Sequence, residues 1–111
     1  MENLRKFSEG QNVFINNLLT ENDVNLKWIG RQYIKDIVEM LNYDNSMLKS
    51  LNNYVYPVIA ERYKTKPSNV EKSVRNAIAK SAYYKKGKDA TNKTILTELV
   101  EKLKIFSSNN P

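Results

Sequence analysis

The residues of this sequence that are best suited to chemistry lie on one side of a single predicted helix. At about 100° per residue, a helix through residues 68–79 turns five hydrogen-bonding side chains away from its apolar stripe: Ser68, Glu71, Lys72, Arg75 and Asn76. Lysine and arginine donate to guanine O6 and N7, glutamate accepts from cytosine N4, and asparagine pairs with adenine. The pattern therefore predicts a helix that reads base edges in the major groove of double-stranded DNA.

Positive charge is concentrated around the same helix. Residues 60–88 carry nine basic and two acidic side chains, a net charge of +7, whereas residues 1–59 carry −1 and residues 89–111 are neutral. Such a concentration is expected of a surface that faces phosphates, although charge alone fits a solvated helix face equally well. The residues predicted to meet phosphates are Lys64, Lys66, Asn69, Lys80, Lys85, Lys86 and Lys88.

Some of these side chains also have a purely structural interpretation. Ser68 and Glu71 form an S-x-x-E pattern, so Glu71 could satisfy backbone donors at the start of the helix instead of reading a base. Lys72 and Arg75 could be ordinary charges on a solvated surface. The residues alone leave both interpretations open.

Other kinds of chemistry are excluded by composition. The sequence contains neither histidine nor cysteine, which excludes disulfides, Cys/His metal sites, Ser-His-Asp triads and cysteine nucleophiles. No paired carboxylates converge on the helical wheel and no glycine-rich phosphate loop occurs, so we expect no enzyme, cofactor, metal or small-molecule ligand. Without a leader pattern or a long apolar run, we expect a cytoplasmic, nucleoid-associated protein.

The elements that must position this helix are predicted to be helical as well. The length of 111 residues and a hydrophobic content of 41% suit one domain. Three glycines and three prolines are too few for the turns of a sandwich or barrel. We predict an all-α compact bundle of about five to six helices containing a helix-turn-helix, a single domain over residues 1–111 with an ordered core at about 12–105 and a frayed C-terminal tail.

Apolar spacing predicts the helices on either side of the basic segment. A first helix covers residues 13–19, and a second follows Gly30 to about residue 42, with Arg31 on its polar face. Trp28 and Ile29 are predicted to pack into the core. A last helix is predicted to begin at Thr91 or Asn92 and to bury Ile95, Leu96, Leu99, Val100 and Leu103.

A third helix, capped by Asn45 or Ser46, is predicted to run to about Tyr63. It contains Pro57, which lacks a backbone donor and clashes with the preceding turn. The helix therefore either kinks near Asn53 or gives way to a new helix that starts at Pro57.

The recognition helix is predicted over about residues 67–86, with Pro67 in its first turn. The small Ala60 suits a close crossing with the preceding helix, and Lys64 lies where such motifs often carry a glycine. The stripe predicted to face the core comprises Val70, Val74, Ala77, Ile78 and Ser81.

These segments resemble a known family. The stretches YVYPVIAERY from Tyr54 and KPSNVEKSVRNAI from Lys66 are similar to the C-terminal DNA-binding effector domain of the master sporulation response regulator of endospore-forming bacteria. Its patterns run close to L-Y-P-x-I-A-x-x-F and T-x-S-R-V-E-R-A-I-R-H-A-I. The segment GRQYIKDI from Gly30 and the final helix also resemble the family, so the likeness covers roughly residues 13–104.

The resemblance implies about six helices, with a recognition helix in the major groove of short boxes that are often occupied in tandem. It also implies base contacts by Glu71, Lys72 and Arg75. No receiver domain is present in this sequence, so we expect a stand-alone domain that aspartyl phosphorylation does not switch.

The sequence departs from the family pattern at positions that matter for binding. Lys72 and Asn69 replace arginines and Asn76 replaces a histidine. Lysine lacks the planar bidentate fork of arginine, so a weaker or shifted guanine preference is expected at Lys72. The chain is also shorter between Tyr84 and Thr91, where we expect a short helix to be missing and contact between tandem copies to be affected.

Two functions are consistent with these observations. The first is a sequence-specific double-stranded DNA-binding protein, either a transcriptional regulator or an accessory factor of a plasmid or phage. The alternative is a protein-interaction module that has lost base reading and docks on or antagonises a larger regulator, an interpretation motivated by the substitutions at Asn69 and Lys72.

Overall fold

The computed structural model describes residues 6–86 and 91–109, apart from the side chains of Lys85 and Lys86. Within these ranges the chain forms six α-helices and no strand, which confirms the predicted fold class. The α-helices are α1 (Glu9–Glu21), α2 (Ile29–Tyr43), α3 (Tyr56–Arg62), α4 (Pro67–Ala79), α5 (Ala82–Lys86) and α6 (Asn92–Asn109). A 3-10 helix (Asn45–Ser50) and a π-helical turn (Leu51–Val55) connect α2 to α3.

The predicted apolar stripes of α2, α4 and α6 meet in one core. Within it, Ile37, Val38 and Leu41 of α2 are fully shielded from solvent, as are Leu96 and Leu99 of α6. Trp28 packs against the edge of this core, but Ile29 is 50% exposed, so the prediction for Ile29 is wrong. Ile29 is the first residue of α2 and lies on the side of the helix that faces water.

The helices α2 and α4 approach each other closely at Gly30. A Cβ atom at this position would lie 2.3 Å from the carbonyl oxygen of Ser73 and 2.9 Å from the Cβ of Ala77. Real Cβ atoms do not come this close to backbone atoms, so only a glycine allows the two helices to pack at this distance.

Arg31 is buried, not solvated as its position in the sequence suggested. The residue is 4% exposed, and its Nη1 donates to the carbonyl oxygen of Val24 at 2.6 Å. Its Nη2 donates to the carbonyl oxygen of Asn16 at 2.9 Å and to the hydroxyl of Thr20 at 3.1 Å. Burial lowers the pKa of Arg31. The long side chain thus ties α2 to α1 through the Asn16 carbonyl and the Thr20 hydroxyl, and to the following loop through the Val24 carbonyl.

The segment before α3 shows how the chain accommodates Pro57. The α-helix α3 begins at Tyr56 with Pro57 in its first turn, but the π-helical turn runs directly into it. The backbone of Val55 is helical, and the N–H of Tyr56 donates to the carbonyl oxygen of Leu51. The preceding residues form the 3-10 helix and the π-helical turn instead of a regular α-helix. The predicted caps are wrong, because the carboxylate of Asp44 accepts from the backbone N–H of Ser46 at 3.0 Å.

The recognition helix is shorter than predicted, because α4 ends at Ala79. The hydroxyl of Ser81 donates to the carbonyl oxygen of Ile78 at 2.6 Å and accepts from the backbone N–H of Tyr83 at 3.2 Å. The backbone N–H of Ala82 donates to the carbonyl oxygen of Asn22 at 2.8 Å. These bonds replace the helical pattern, so the chain turns and α5 begins as a separate helix.

Both ends of the bundle extend beyond the core expected from sequence. Ser8 and Gln11 form a capping box at the start of α1, and the side chain of Gln11 donates to the hydroxyl of Ser107 at 2.9 Å. Ser107, which was predicted to belong to the frayed tail, thus lies inside α6. This helix begins directly after Thr91, which was one of its two predicted caps. The hydroxyl of Thr91 accepts from the backbone N–H of Thr94 at 3.2 Å.

The end of α3 is fixed to α2 by a polar contact. The hydroxyl of Tyr63 donates to the carboxylate of Asp36, which also pairs with Arg62 at 3.4 Å. The ring of Tyr63 meets that of Tyr33 edge to face, with 5.0 Å between their centroids. Burial, together with the bond to Asp36, raises the pKa of Tyr63 to about 12.

Replacing Gly30 by alanine should destabilise the fold, because the added methyl group meets a backbone carbonyl that cannot move without displacing α4. We expect Gly30→Ala to lower the free energy of unfolding by about 1–3 kcal/mol, measured by urea denaturation. Gly10→Ala is the matched control, since a Cβ there meets only Phe106 at 3.8 Å. In α1 it should raise stability by about 0.5–1 kcal/mol. Equal effects of the two variants would contradict the role assigned to Gly30.

The raised pKa of Tyr63 predicts a loss of stability at alkaline pH. The folded protein holds the phenolic proton more tightly than the unfolded chain, so the stabilisation is complete below the ordinary pKa of 10.0 and is lost as the pH rises to about 12. The difference in free energy of unfolding between the parent protein and Tyr63→Phe should therefore shrink between about pH 10 and pH 12. Tyr54→Phe, at a tyrosine that is 48% exposed, controls for general effects of alkali.

Candidate nucleic-acid interface

A four-residue turn, residues 63–66, joins α3 to α4. Lys64 adopts a left-handed backbone conformation with φ 56°, which non-glycine residues rarely take. The backbone N–H of Thr65 donates to the carbonyl oxygen of Ala60 at 2.9 Å, and the amide of Asn69 donates to the Thr65 hydroxyl at 3.0 Å. Lys64 thus occupies the turn position where a glycine is common. The two hydrogen bonds of Thr65 link the turn to α3 on one side and to α4 on the other.

The helix α4 has one buried and one exposed face. Val70, Val74, Ala77 and Ile78 are at most 3% exposed, and Ser81, just beyond the helix, is buried as predicted. On the other side, the predicted base-reading residues Ser68, Lys72, Arg75 and Asn76 are exposed, and Glu71 is partly buried. The structure therefore brings the five predicted base-reading side chains together along one helix.

Glu71 does not take the capping role that its S-x-x-E pattern suggested. The N-cap position of α4 is Lys66, and no side chain caps this end of the helix. The carboxylate of Glu71 instead accepts from Nε of Arg75 at 3.1 Å. The ion pair is half exposed, with 58% of the Arg75 side chain and 35% of the Glu71 side chain open to solvent. Such a pair orients both side chains but adds little stability.

The predicted phosphate-contacting residues surround this face. Lys64, Lys66 and Asn69 are exposed at the turn and at the start of α4. At its other end Lys80 lies over the ring of Trp28, with 5.6 Å from Nζ to the ring centroid. Lys88 and the side chains of Lys85 and Lys86 lie outside the described residues. The cations seen in the structure thus lie at both ends of the polar face of α4.

A cleft of about 540 Å³ lies beside Glu71 and Arg75 and was not predicted. One wall is the 3-10 helix with the π-helical turn, including Lys49, and the other is the start of α6, including Lys93. Sequence periodicity gave no signal for it, because its walls come from segments that are distant along the chain.

Asn92, expected only as a possible helix cap, lines the same cleft and contacts α4. Its Nδ2 donates to the carbonyl oxygen of Glu71 at 3.2 Å and to the hydroxyl of Tyr56 at 3.1 Å. The side chain is partly buried. Burial raises the pKa of Tyr56, an effect that the bond from Asn92 opposes. A polar residue at a helix start is so common that its sequence position did not suggest this contact.

Neither a membrane span nor a metal site is evident in the described ranges. None of the helices there is long and apolar enough to cross a membrane. No group of three or more acidic side chains there is placed to hold a metal ion.

Two short helices joined by a tight turn, the second with one apolar and one polar face, are features of the helix-turn-helix class of DNA-binding domains. The model of the family described as "Sporulation initiation factor Spo0A C terminal" matches residues 15–110. The chain belongs to this family, as its resemblance predicted. The family is a DNA-binding effector domain, so the chain is a DNA-binding protein of the transcription-regulator type.

The backbone of Lys64 predicts that stability and DNA binding can be changed separately. Lys64→Gly relieves the left-handed conformation and should raise the free energy of unfolding by up to about 1 kcal/mol. The control Lys66→Gly removes the same charge at a residue with an ordinary φ of −99° and should lower stability. Both should weaken binding to random duplex DNA. The measurements are thermal melts and fluorescence titrations; stability that falls equally in both variants would contradict the prediction.

Proposed function

We propose that the chain is a sequence-specific double-stranded DNA-binding regulator that places α4 in the major groove. The observation that carries this proposal is the polar face of α4, where Arg75 is exposed and its Nε donates to the carboxylate of Glu71. The apolar residues on the opposite face of α4 are buried in the core. A helix anchored in this way presents its side chains to a partner without rearrangement of the core.

The proposed base-reading residues differ in what they can recognise. Arg75 and Lys72 donate to guanine, Glu71 accepts from cytosine, and Asn76 pairs with adenine. The small, exposed Ser68 allows close approach at the start of α4. At position 72, the ammonium group of lysine acts as a point charge and lacks the planar, bidentate guanidinium of arginine, so a weaker or shifted preference for guanine is expected there.

The proposed phosphate contacts fix the register of α4 on the duplex. Lys64, Lys66 and Asn69 would engage the backbone on one side and Lys80 on the other. Lys85, Lys86 and Lys88 are proposed as further phosphate contacts from the sequence alone. Such contacts strengthen binding to every sequence and make it depend on salt.

The proposal extends to where and how the protein acts. It covers a regulator of chromosomal genes and an accessory factor of a plasmid or phage, in either case associated with the nucleoid. Binding of a second copy to an adjacent box is included, and a stepwise mobility shift on duplexes with one and two boxes tests it.

The test begins with selection of bound sequences from a random duplex library. On the selected box, Arg75→Ala should reduce the preference over random DNA by a loss of about 1–3 kcal/mol in discrimination at one base pair. Lys66→Ala should weaken binding to both duplexes alike and reduce the slope of log affinity against log salt by about one.

Two results would reject the proposal. Equal losses for Arg75→Ala on specific and random duplexes would show that Arg75 reads no base. Absence of duplex binding at moderate salt, together with a stable complex with a larger regulator, would favour the protein-interaction module.

A further inference from the structure

One amide from outside the helix-turn-helix joins three helices at the base-reading face. Asn92, the first residue of α6, is separated from Glu71 by 21 positions in the sequence. Its Nδ2 lies 3.2 Å from the carbonyl oxygen of Glu71, 3.5 Å from Glu71 Oε2 and 3.1 Å from the hydroxyl of Tyr56, the first residue of α3. The contact therefore connects α6 to both helices of the helix-turn-helix.

The orientation of the Asn92 amide follows from the groups around it. A backbone carbonyl and an ionised carboxylate can only accept hydrogen bonds, so an oxygen in place of Nδ2 would be repelled by both. Oδ1 of Asn92 consequently points away from Glu71. It is inaccessible to solvent and has no hydrogen-bond partner among the described residues. The amide has this orientation although its one oxygen is left without a partner among the described residues, which indicates that the contacts of Nδ2 determine it.

Glu71 is thereby contacted at both its side chain and its backbone. Nε of Arg75 donates to Oε2 at 3.1 Å from within α4, and Nδ2 of Asn92 in α6 lies 3.5 Å from the same oxygen and 3.2 Å from the Glu71 carbonyl oxygen. Among the described residues, loss of Asn92 would leave the Glu71 carboxylate with an exposed hydrogen-bond partner on its own helix, and both side chains would sample more rotamers.

We propose that Asn92 is a positioning residue for base reading: it fixes the side chain of Glu71 for the major groove, and in the free protein Glu71 in turn orients the guanidinium of Arg75. The inference rests on the proposed function, in which Glu71 and Arg75 contact bases. Asn92 itself touches no base in this arrangement.

Base preference in Asn92→Ala, measured on the same randomised duplex library, tests the proposal. We expect a loss of preference of about fivefold or more at the base pair that Glu71→Ala also affects, with little change at other positions. The double variant Asn92→Ala with Glu71→Ala should be no worse than Glu71→Ala alone, because coupled residues are not additive. Tyr56→Phe is the matched control: it removes the other partner of Nδ2 but leaves the Glu71 contact, so it should keep the preference.

A merely structural role for Asn92 predicts a different result. Affinity would then fall equally at every base pair and on random DNA, in parallel with the melting temperature, and the proposal would be overturned. Full preference at the Glu71 base pair in Asn92→Ala would overturn it as well.

A second measurement needs no DNA. Three-bond NMR couplings report the χ1 rotamers of Glu71 in the free protein, and they should change from one rotamer to an average in Asn92→Ala but not in Tyr56→Phe. Unchanged couplings would reject the positioning contact whatever the DNA results. Changed couplings together with a Glu71→Ala variant that reads DNA normally would uphold the contact and reject the base-reading role of Glu71.

Discussion

The close approach of Gly30 to the backbone of Ser73 determines how the rest of the structure is arranged. Because Gly30 has no side chain, α2 packs at this point directly against the backbone of α4, where any Cβ would clash. Val70, Val74 and Ala77 can then reach the core with short side chains. The apolar face of α4 is fully buried by this packing, and its polar face forms part of the outer surface of the domain.

The position of α4 also depends on contacts that restrain its neighbours. Tyr63 and Arg62 fix the end of α3 to Asp36 of α2, so the turn before α4 starts from a defined point. Lys64, with its left-handed backbone conformation, then changes the direction of the chain within the four-residue turn. At the C-terminal end, the hydrogen bond from the Ser81 hydroxyl to the carbonyl oxygen of Ile78 ends α4 before the basic segment that follows. The result is a short helix of 13 residues that exposes its polar face, instead of one long basic helix.

Periodicity predicted the parts of this structure that depend on neighbours in sequence. The stripes of α2, α4 and α6 follow from apolar spacing alone, and the interruption of the regular α-helix before Pro57 follows from the chemistry of proline. The break at Ser81 was missed because it needs a backbone bond between Ala82 and the distant Asn22. Burial of Arg31 was missed for a similar reason, since carbonyl groups of Asn16 in α1 and of Val24 in the loop after it accept its hydrogen bonds. The Asn92 contact with Glu71 is equally invisible in sequence, because tertiary packing creates it.

The half-exposed ion pair of Glu71 and Arg75 suits a DNA-binding surface. It orders both side chains in the free protein and lets Arg75 contact a base in the proposed complex. An exposed i,i+4 pair contributes about 0.3–0.5 kcal/mol, so Arg75 can exchange its carboxylate partner for a base at small cost. A fully buried pair would be better ordered, but breaking it would cost several times more. In the proposed complex, Glu71 then loses one partner and keeps Asn92. Its carboxylate therefore stays directed along the groove-facing side of α4, where a cytosine amino group can replace the guanidinium as its second donor.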